Sequence, residues 1–337
     1  MQKLPIQHRH VAGFTLLELM IAGAIGSFLI AGVFTVFSNG RQTQGMVEAQ
    51  TQLIDDSRFA MRTLNYDLRH AGLWGKTNKY SNIGGAKDVT QDQTPVDPMP
   101  VMGPIGGDCD VDWYRDLKQS FYVKDNSNPY AASCIPNGEY RLNTDVLVTK
   151  YAPPTPVADG DLGTGVVYVY ANHFEGALFI GPTPQDYKKG KKDEPENFVL
   201  RNRAYFVNEF TYANGDGYPS LHRVELMAGP ELTNTMLIPG VEDFQVQLGI
   251  DDTGDRSVNR YVDASYSDDN PELKKVISVQ YWLMLRSRDK ELKGTETQSL
   301  SMAGRAPVVY SDGYRRVVVS SVVKLQNRIL LNKSAGS

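Results

Sequence analysis

The chain has 337 residues, 41% hydrophobic and 10% aromatic, with 35 Lys+Arg against 39 Asp+Glu and a formal net charge of −4. That length and apolar content provide for a substantial core and exclude a mainly disordered protein. Mild acidity removes any general reason to expect nucleic-acid binding.

A short basic leader carrying Lys3 and Arg9 comes first, and then Gly13-Phe14-Thr15-Leu16-Leu17-Glu18 opens an apolar run that ends at Phe37. Glu18 is the one charge in these roughly 24 residues, which as a helix rising about 1.5 Å per residue are long enough to cross a bilayer. A carboxylate in hydrocarbon costs about 2.5 to 3.5 kcal/mol at a helix centre and less near an end, so Glu18 needs a partner. No basic residue close to it in the sequence supplies one. Cleavage after Gly13 would give Phe14 a free α-amino group and make Glu18 the fifth residue of a helix that starts with a positive charge. The amine of a neighbouring helix, axially offset, would then neutralise Glu18, and only one offset pairs both charges, which fixes register. An ordinary secretory signal puts its small residues after the apolar core, whereas Gly13 precedes it.

The flanks give an orientation. The leader is basic, while the stretch beyond the apolar run sets Arg41 against Glu48, Asp55 and Asp56, so the N terminus is expected in the cytoplasm and the remainder outside it. Loss of the two leader cations takes the net charge from −4 to −6.

Beyond Phe37 the helix is expected to continue to about Ala71, some 58 residues or about 87 Å in all. Val47, Ile54, Met61 and Leu68 recur every seven residues with Leu53, Ala60 and Leu64 beside them, a stripe suited to lie on a sheet. Gly72 and Gly75 around Leu73 and Trp74 supply the stop. Residues 76–104, 153–165 and 182–197 read as long polar loops. Strands are expected at 146–151, 166–170, 204–210, 221–226, 241–250, 276–286 and 316–325, where β-branched and aromatic runs sit between Gly, Pro, Asp and Asn clusters. Phe244, Val246, Leu248 and Ile250 alternate with Gln245, Gln247 and Gly249, which predicts antiparallel sheets with one solvated face.

Cys109 and Cys134, the only cysteines, both fall in the part placed outside the cytoplasm, and an even count in an oxidising compartment points to one disulfide. Closing a loop of about 25 residues would contribute roughly 3.5 kcal/mol on the chain-entropy model. Two thiols with no nearby His cannot complete a zinc shell. His70, His173 and His222 are widely separated, no HExxH, CxxC or phosphate-binding glycine loop is present, and no enzyme activity and no cofactor are expected. The segment Asp251-Asp252-Thr253-Gly254-Asp255 has the oxygen ligands of a calcium loop, with Asn259 and Asp263 downstream, but Arg256 stands where an EF-hand has its glycine, and a hairpin turn is the favoured reading. Lys188, Lys189, Lys191 and Lys192 are followed at once by Asp193, Glu194 and Glu196, which compensates the patch locally and argues for a solvated loop over a DNA contact.

The octapeptide GFTLLELM resembles the class III signal of type IV pilins and type II secretion pseudopilins, which a prepilin peptidase cleaves after the Gly and methylates on the Phe. On these residues Gly13 and Phe14 are implied as the processing site and Glu18 as the assembly charge. Within that class the chain is similar to PilW-type minor pilins through 38–75, 241–255, 276–288 and 312–328. Shaft pilins commonly carry a proline in the apolar helix; none occurs between Phe14 and Ser38 here. The resemblance implies an α+β, pilin-like fold: a long N-terminal α-helix, transmembrane in its first half and amphipathic in its second, packed on a mainly antiparallel β-sheet domain. The expected divisions are a leader 1–13, a transmembrane or filament-core half-helix 14–38, an amphipathic half-helix 39–75 and a periplasmic β-rich domain 76–337. The implied function is that of a minor pilin in a tip or priming complex that initiates type IV pilus assembly and supports twitching, adhesion or DNA uptake. Its implied partners are other minor pilins, the main pilin, prepilin peptidase and the inner membrane, a large tip adhesin being allowed as well, with no direct contact to nucleic acid. Two alternatives share some of the features: a J-type minor pseudopilin of a type II secretion system, and a single-pass anchored periplasmic binding protein.

Overall fold

Helix α1 runs uninterrupted over Leu16–His70, 55 residues and about 82 Å of helix. The computed structural model describes residues 15–87, 89, 111–130, 134–183, 193–211, 215–264, 274–291 and 296–328. Two units follow one another, Met1–Gln52 and Leu53–Ser337. In the first, nearly every described side chain is exposed, although the first half of the helix is apolar.

In the second unit, the last turns of α1 bury Leu53, Ala60, Leu64, Leu68 and Ala71 in the larger of two main cores. These positions recur at three and four residues, which defines one face of a helix. The seven-residue stripe expected from the sequence is off-centre: Leu68 is buried, Ile54 and Met61 are half-buried, and Val47 is exposed. A strict repeat of seven drifts by about 20° per heptad around an unsupercoiled helix, so it slides off the packed face.

The helix ends where Gly72 and Gly75 take positive φ values of 78° and 68°. Its last carbonyls are satisfied from far along the chain, because Asn327 Nδ2 donates to the carbonyls of Arg69, His70 and Ala71 at 3.2, 3.3 and 3.2 Å. Gly75 is also sterically fixed, since a Cβ there would stand 2.1 Å from the Phe198 ring. Gly75→Ala is expected to cost about 3 kcal/mol, from the left-handed backbone and the displaced ring together. A melt of the full-length chain in detergent checks this, and an unchanged Tm would refute it.

After α1 come a 3₁₀ turn Tyr80–Asn82, strand β1 (Ile83–Gly84), a short helix α2 (Val111–Arg115), β2 (Phe121–Lys124), β3 (Val146–Tyr151) and a 3₁₀ turn Asp159–Asp161. They are followed by β4 (Val167–Ala171), β5 (Gly176–Ile180), β6 (Glu196–Val199), β7 (Arg201–Asn208), β8 (Ser220–Leu226), β9 (Leu232–Pro239) and β10 (Val241–Ile250). Then come β11 (Arg260–Asp263), β12 (Val276–Lys290), β13 (Gln298–Leu300), β14 (Val308–Tyr310) and β15 (Tyr314–Lys324). They form a five-stranded sheet β2-β3-β7-β8-β9, two four-stranded sheets, β1-β5-β4-β6 and β11-β10-β12-β15, and a β13-β14 hairpin. Every pairing is antiparallel except that of β1 with β5. The chain is therefore α+β, a long N-terminal helix followed by mainly antiparallel sheets.

The larger core joins α1 to residues of the five-stranded sheet, such as Leu147, Tyr205 and Leu221, and of the sheet containing β10 and β12, such as Phe244, Tyr281 and Leu283. A second core gathers Trp74, Ile83, Trp113, Val148, Val169, Phe198 and Phe206 around the sheet containing β4.

Two expectations need correction. The segment 182–197, read as loop, already enters β6 at Glu196. The solvated face expected of the β10 sheet is partly covered: Gln245 is buried and donates to the Asn143 carbonyl at 2.9 Å and to Asp243 at 2.7 Å. The covering element is the approach to β3. Asp145 donates its N–H to the Phe244 carbonyl at 2.9 Å, and its carboxylate accepts from the N–H groups of Val246 at 2.7 Å and Asn126 at 2.9 Å.

Burial pushes the Asp145 carboxyl up from its ordinary 3.8 to about 7. Between those values the folded chain holds a proton that the unfolded chain has lost, so stability from this group is full below about pH 4 and disappears as pH rises through about 7. The Tm of wild type minus that of Asp145→Asn is therefore expected to rise as pH falls from 7 to 4. A gap independent of pH would show the carboxylate ionised throughout.

Candidate assembly surface on the first helix

Thr15 and Glu18 close the described start of α1 as a reciprocal capping box. The Thr15 N–H and hydroxyl both donate to Glu18 Oε2, at 2.9 and 3.0 Å, while the Glu18 N–H donates back to Thr15 Oγ1 at 3.3 Å. Within one chain the carboxylate thus has only hydrogen-bond partners; among the described residues no cation approaches it. The T-x-x-E spacing was legible in the sequence as a cap signal, and it assigns Glu18 a second task besides the charge pairing inferred above. Gly13 and Phe14, the expected processing residues, lie outside the described residues.

From Leu16 to Phe37 the large apolar side chains, Phe28, Ile30, Val33 and Phe34 among them, stand exposed around the whole helix. This is the one described helix long and apolar enough to cross a membrane. Its few polar side chains are satisfied internally: Ser27 donates to the Gly23 carbonyl at 2.8 Å and Thr35 to that of Ala31 at 2.9 Å. A segment with no unsatisfied side-chain donor and an all-round apolar surface suits hydrocarbon or a bundle of like helices, whereas water would leave a patch far above what soluble monomers tolerate. An open apolar groove crosses Gly32 between Phe28, Val36 and Phe37, so the helix surface is notched and not cylindrical.

The other end of α1 is locked by charge. Asp67 is fully buried and accepts from the Tyr151 hydroxyl at 2.7 Å, from Arg203 Nη1 at 2.8 Å and from the Tyr205 hydroxyl. Arg203 in turn donates to Glu225 through Nε at 2.8 Å and Nη2 at 2.6 Å. Burial, then the Asp67 charge, pushes both tyrosine hydroxyls well above their ordinary range, so they stay protonated donors. Burial would lower Arg203, but Asp67 and its neighbours outweigh that and raise it. Asn65, two residues earlier, accepts from the hydroxyls of Tyr281 at 2.8 Å and Ser321 at 3.0 Å. The last turns of α1 are thereby hydrogen-bonded to β3, β7, β12 and β15.

A second buried cation serves the C-terminal strands. The Arg316 side chain, 1% exposed, donates to Glu242 at 2.5 and 3.2 Å and to Asp312 at 2.8 and 2.6 Å, with its guanidinium 4.0 Å from the centre of the Tyr310 ring. Hydrogen bonds from Arg316 hold Asp312 down at about 2.

The remaining expected site residues do not gather. Asp251 accepts backbone N–H bonds from Gly254 at 2.6 Å and Arg256 at 2.8 Å, Asp252 pairs with Arg260 at 2.8 Å, and Asp255 accepts from the Ser257 N–H at 2.8 Å. Their carboxylates are occupied in shaping the turn between β10 and β11, and among the described residues no three His, Cys, Asp or Glu side chains are placed to hold a metal. His70 bonds the Tyr66 carbonyl, His173 bonds Asp193 and His222 bonds Asn234, three separate places. Cys134 packs against the second core, while Cys109 and the lysines at 188, 189, 191 and 192 lie outside the described residues.

Known families resemble parts of this chain. Residues 8–34 match the model of the prokaryotic N-terminal methylation motif, and residues 204–327 match that of Type IV Pilus-assembly protein W. The chain is therefore similar to the PilW family over its C-terminal third and carries the N-terminal methylation motif at its start. The methylation motif covers the end of the leader, the capping box and most of the exposed apolar helix, while the PilW match takes in Arg203's neighbours on β7, the β10–β12–β15 sheet and Asn327. Among solved structures, a type IV-like pilin from Thermus thermophilus aligns with 58% of this chain and 82% of its own, at 15% identity and a TM-score of 0.26, too slight a likeness to carry an argument. A search of curated proteins found no match.

Proposed function

We propose that this chain is a minor pilin of the PilW type that joins other minor pilins in a tip or priming complex and starts assembly of the main pilin into a type IV pilus. The observation that supports it most is one helix that is methylation-signal and all-round apolar at its start, then charge-locked to a PilW domain at its end. On this reading prepilin peptidase cuts after Gly13 and methylates Phe14, residues 14–38 form the membrane and filament half of the helix, and residues 39–75 the amphipathic half. Glu18 pairs with the new amine of a neighbouring helix. The domain from 76 onward stands in the periplasm before assembly and at the pilus, expected at its tip, afterwards. A disulfide between Cys109 and Cys134 staples that domain, and a large tip adhesin is a further partner of the assembled complex. Supported outcomes are twitching, adhesion or DNA uptake.

The test is fractionation. Wild-type chain is expected as a shortened, processed form in sheared pili, and Gly13→Ser as an unprocessed, heavier precursor confined to the inner membrane, with surface pili lost on deletion of the chain. Normal piliation without this chain, accompanied by loss of enzyme secretion, would instead select the pseudopilin reading.

A further inference from the structure

Strand β15 presents an open outer edge. The strand pairs with β12 on one side only and ends its sheet. Leu325 donates its N–H to the Ile277 carbonyl and Arg315 its N–H to Ser287 Oγ, so the odd-numbered residues face β12. The even-numbered ones face outward, as Arg316 shows: its N–H donates to Gln298 Oε1 at 2.8 Å and its carbonyl accepts from Gln298 Nε2 at 3.4 Å. Gln298 thus plugs the first outward position with a side-chain amide that imitates a strand. Beyond it, the outward N–H and C=O groups of Val318, Ser320 and Val322 meet no partner among the described residues.

Other edges are protected in familiar ways. β2, β6 and β11 have four residues each, and β9 is irregular in register and ends in Pro239. β15 has 11 residues, regular pairing from Arg316 to Lys324, and the uncharged run Val-Val-Ser-Ser-Val over 318–322. Over 318–322 the edge has no proline, bulge or charge, and such a β-branched edge is an aggregation hazard unless a partner covers it. Val322, 53% exposed, adds an apolar contact on the outward register.

We propose that this edge takes an extended, β-branched segment of a different pilin-class subunit by strand addition, with a carboxylate of that segment reaching Lys324. Lys324 is exposed and has no ion pair among the described residues, so it asks for an anion. A second copy of this chain serves less well. Twofold pairing about Ser320 would set Lys324 opposite Arg316, whose carboxylates Glu242 and Asp312 are already engaged. Backbone bonds give such an interface its affinity, and the alternating side chains its register. The nature of the partner rests on the pilus reading above; the open edge does not.

The test uses outward and inward prolines in the full-length chain. Ser320→Pro removes an N–H that no described group uses, which edge strands tolerate, whereas Ser321→Pro removes one bonded to β12. Ser320→Pro is expected to melt within a few degrees of wild type in detergent yet to fall about tenfold in sheared pili, while Ser321→Pro lowers Tm outright. Hydrogen exchange on wild type supplies a readout free of substitution: the amides of 318, 320 and 322 should exchange fast in the detergent-solubilised chain and slowly in tip complexes isolated through a tag on this chain. Entry of Ser320→Pro at the wild-type level, or unprotected amides in those complexes, overturns the proposal. A disulfide-linked dimer of Ser320→Cys, expressed without other pilins, overturns it in favour of a second copy. Wild type absent from pili overturns the pilus reading and this partner with it, a result distinct from wild type present with its edge unprotected.

Discussion

Asp67→Ala is expected to lower the stability of the folded domain by about 3 to 5 kcal/mol, the range for removing one member of a buried charge pair. Alanine leaves Arg203 with Glu225 and the Tyr151 oxygen, and strands the hydroxyl protons of Tyr151 and Tyr205 in a buried site. At about 2 to 4 °C per kcal/mol for a large domain, Tm of the full-length chain in detergent should fall by about 10 °C. The cost comes chiefly from what is left unpaired, so Asp67→Leu combined with Arg203→Met should be much milder than the sum of the single changes. Additive losses would mean that the two side chains act independently. Because Asp67 sits within one turn of the end of α1, the same variant should expose the amides of residues 64–70 to hydrogen exchange before the sheets open.

Asp67 also shows where sequence reading falls short. Taken singly, an Asp between Tyr66 and Leu68 reads as part of the polar covering of an amphipathic helix. Its spacing says otherwise: 53, 57, 60, 64, 67, 68 and 71 lie on one helical face, and the structure buries all of them, Ser57 and Asp67 included. The partners come from β3 and β7, more than 80 residues downstream, and no local pattern announces them. Strands with uninterrupted β-branched or alternating character, β3 and β10, were readable to the residue, whereas β5 begins at a glycine and β9 carries Thr-Asn-Thr, so local propensity gave them away poorly. At the candidate site the balance reverses. GFTLLE is readable because it combines a small residue, a lone charge and an apolar run in an order that ordinary signals do not use. The Thr15–Glu18 box is equally local, but a search for a cationic partner draws attention away from it.

The fold ties these levels together through one helix. Its exposed half can be stable only where something other than water surrounds it, and its buried half is fixed by Asp67, Asn65 and the Asn327 cap. A change in helix register would carry β3, β7, β12 and β15 along with residues 65–71.

Substitution of Glu18 separates its two tasks, capping and charge. In a capping box Gln serves as well as Glu, because the acceptor oxygen is all that the Thr15 N–H and hydroxyl require. In a pair with a neighbour's ammonium Gln fails, because it carries no charge. If the amine pairing operates, Glu18→Gln and Glu18→Ala should both be cleaved after Gly13 and both be depleted in sheared pili by about a hundredfold or more, the equivalent of about 3 kcal/mol or more for an unpaired charge in an apolar bundle. Thr15→Val keeps the carboxylate and loses only the cap, so its depletion should stay near fivefold, about 1 kcal/mol. The opposite order, with Glu18→Gln near wild type and Thr15→Val as poor as Glu18→Ala, would make Glu18 a helix cap and remove charge pairing from the account of assembly. Processing in all three variants is read from the same immunoblots, so a variant that is never cleaved cannot be mistaken for one that is cleaved and rejected.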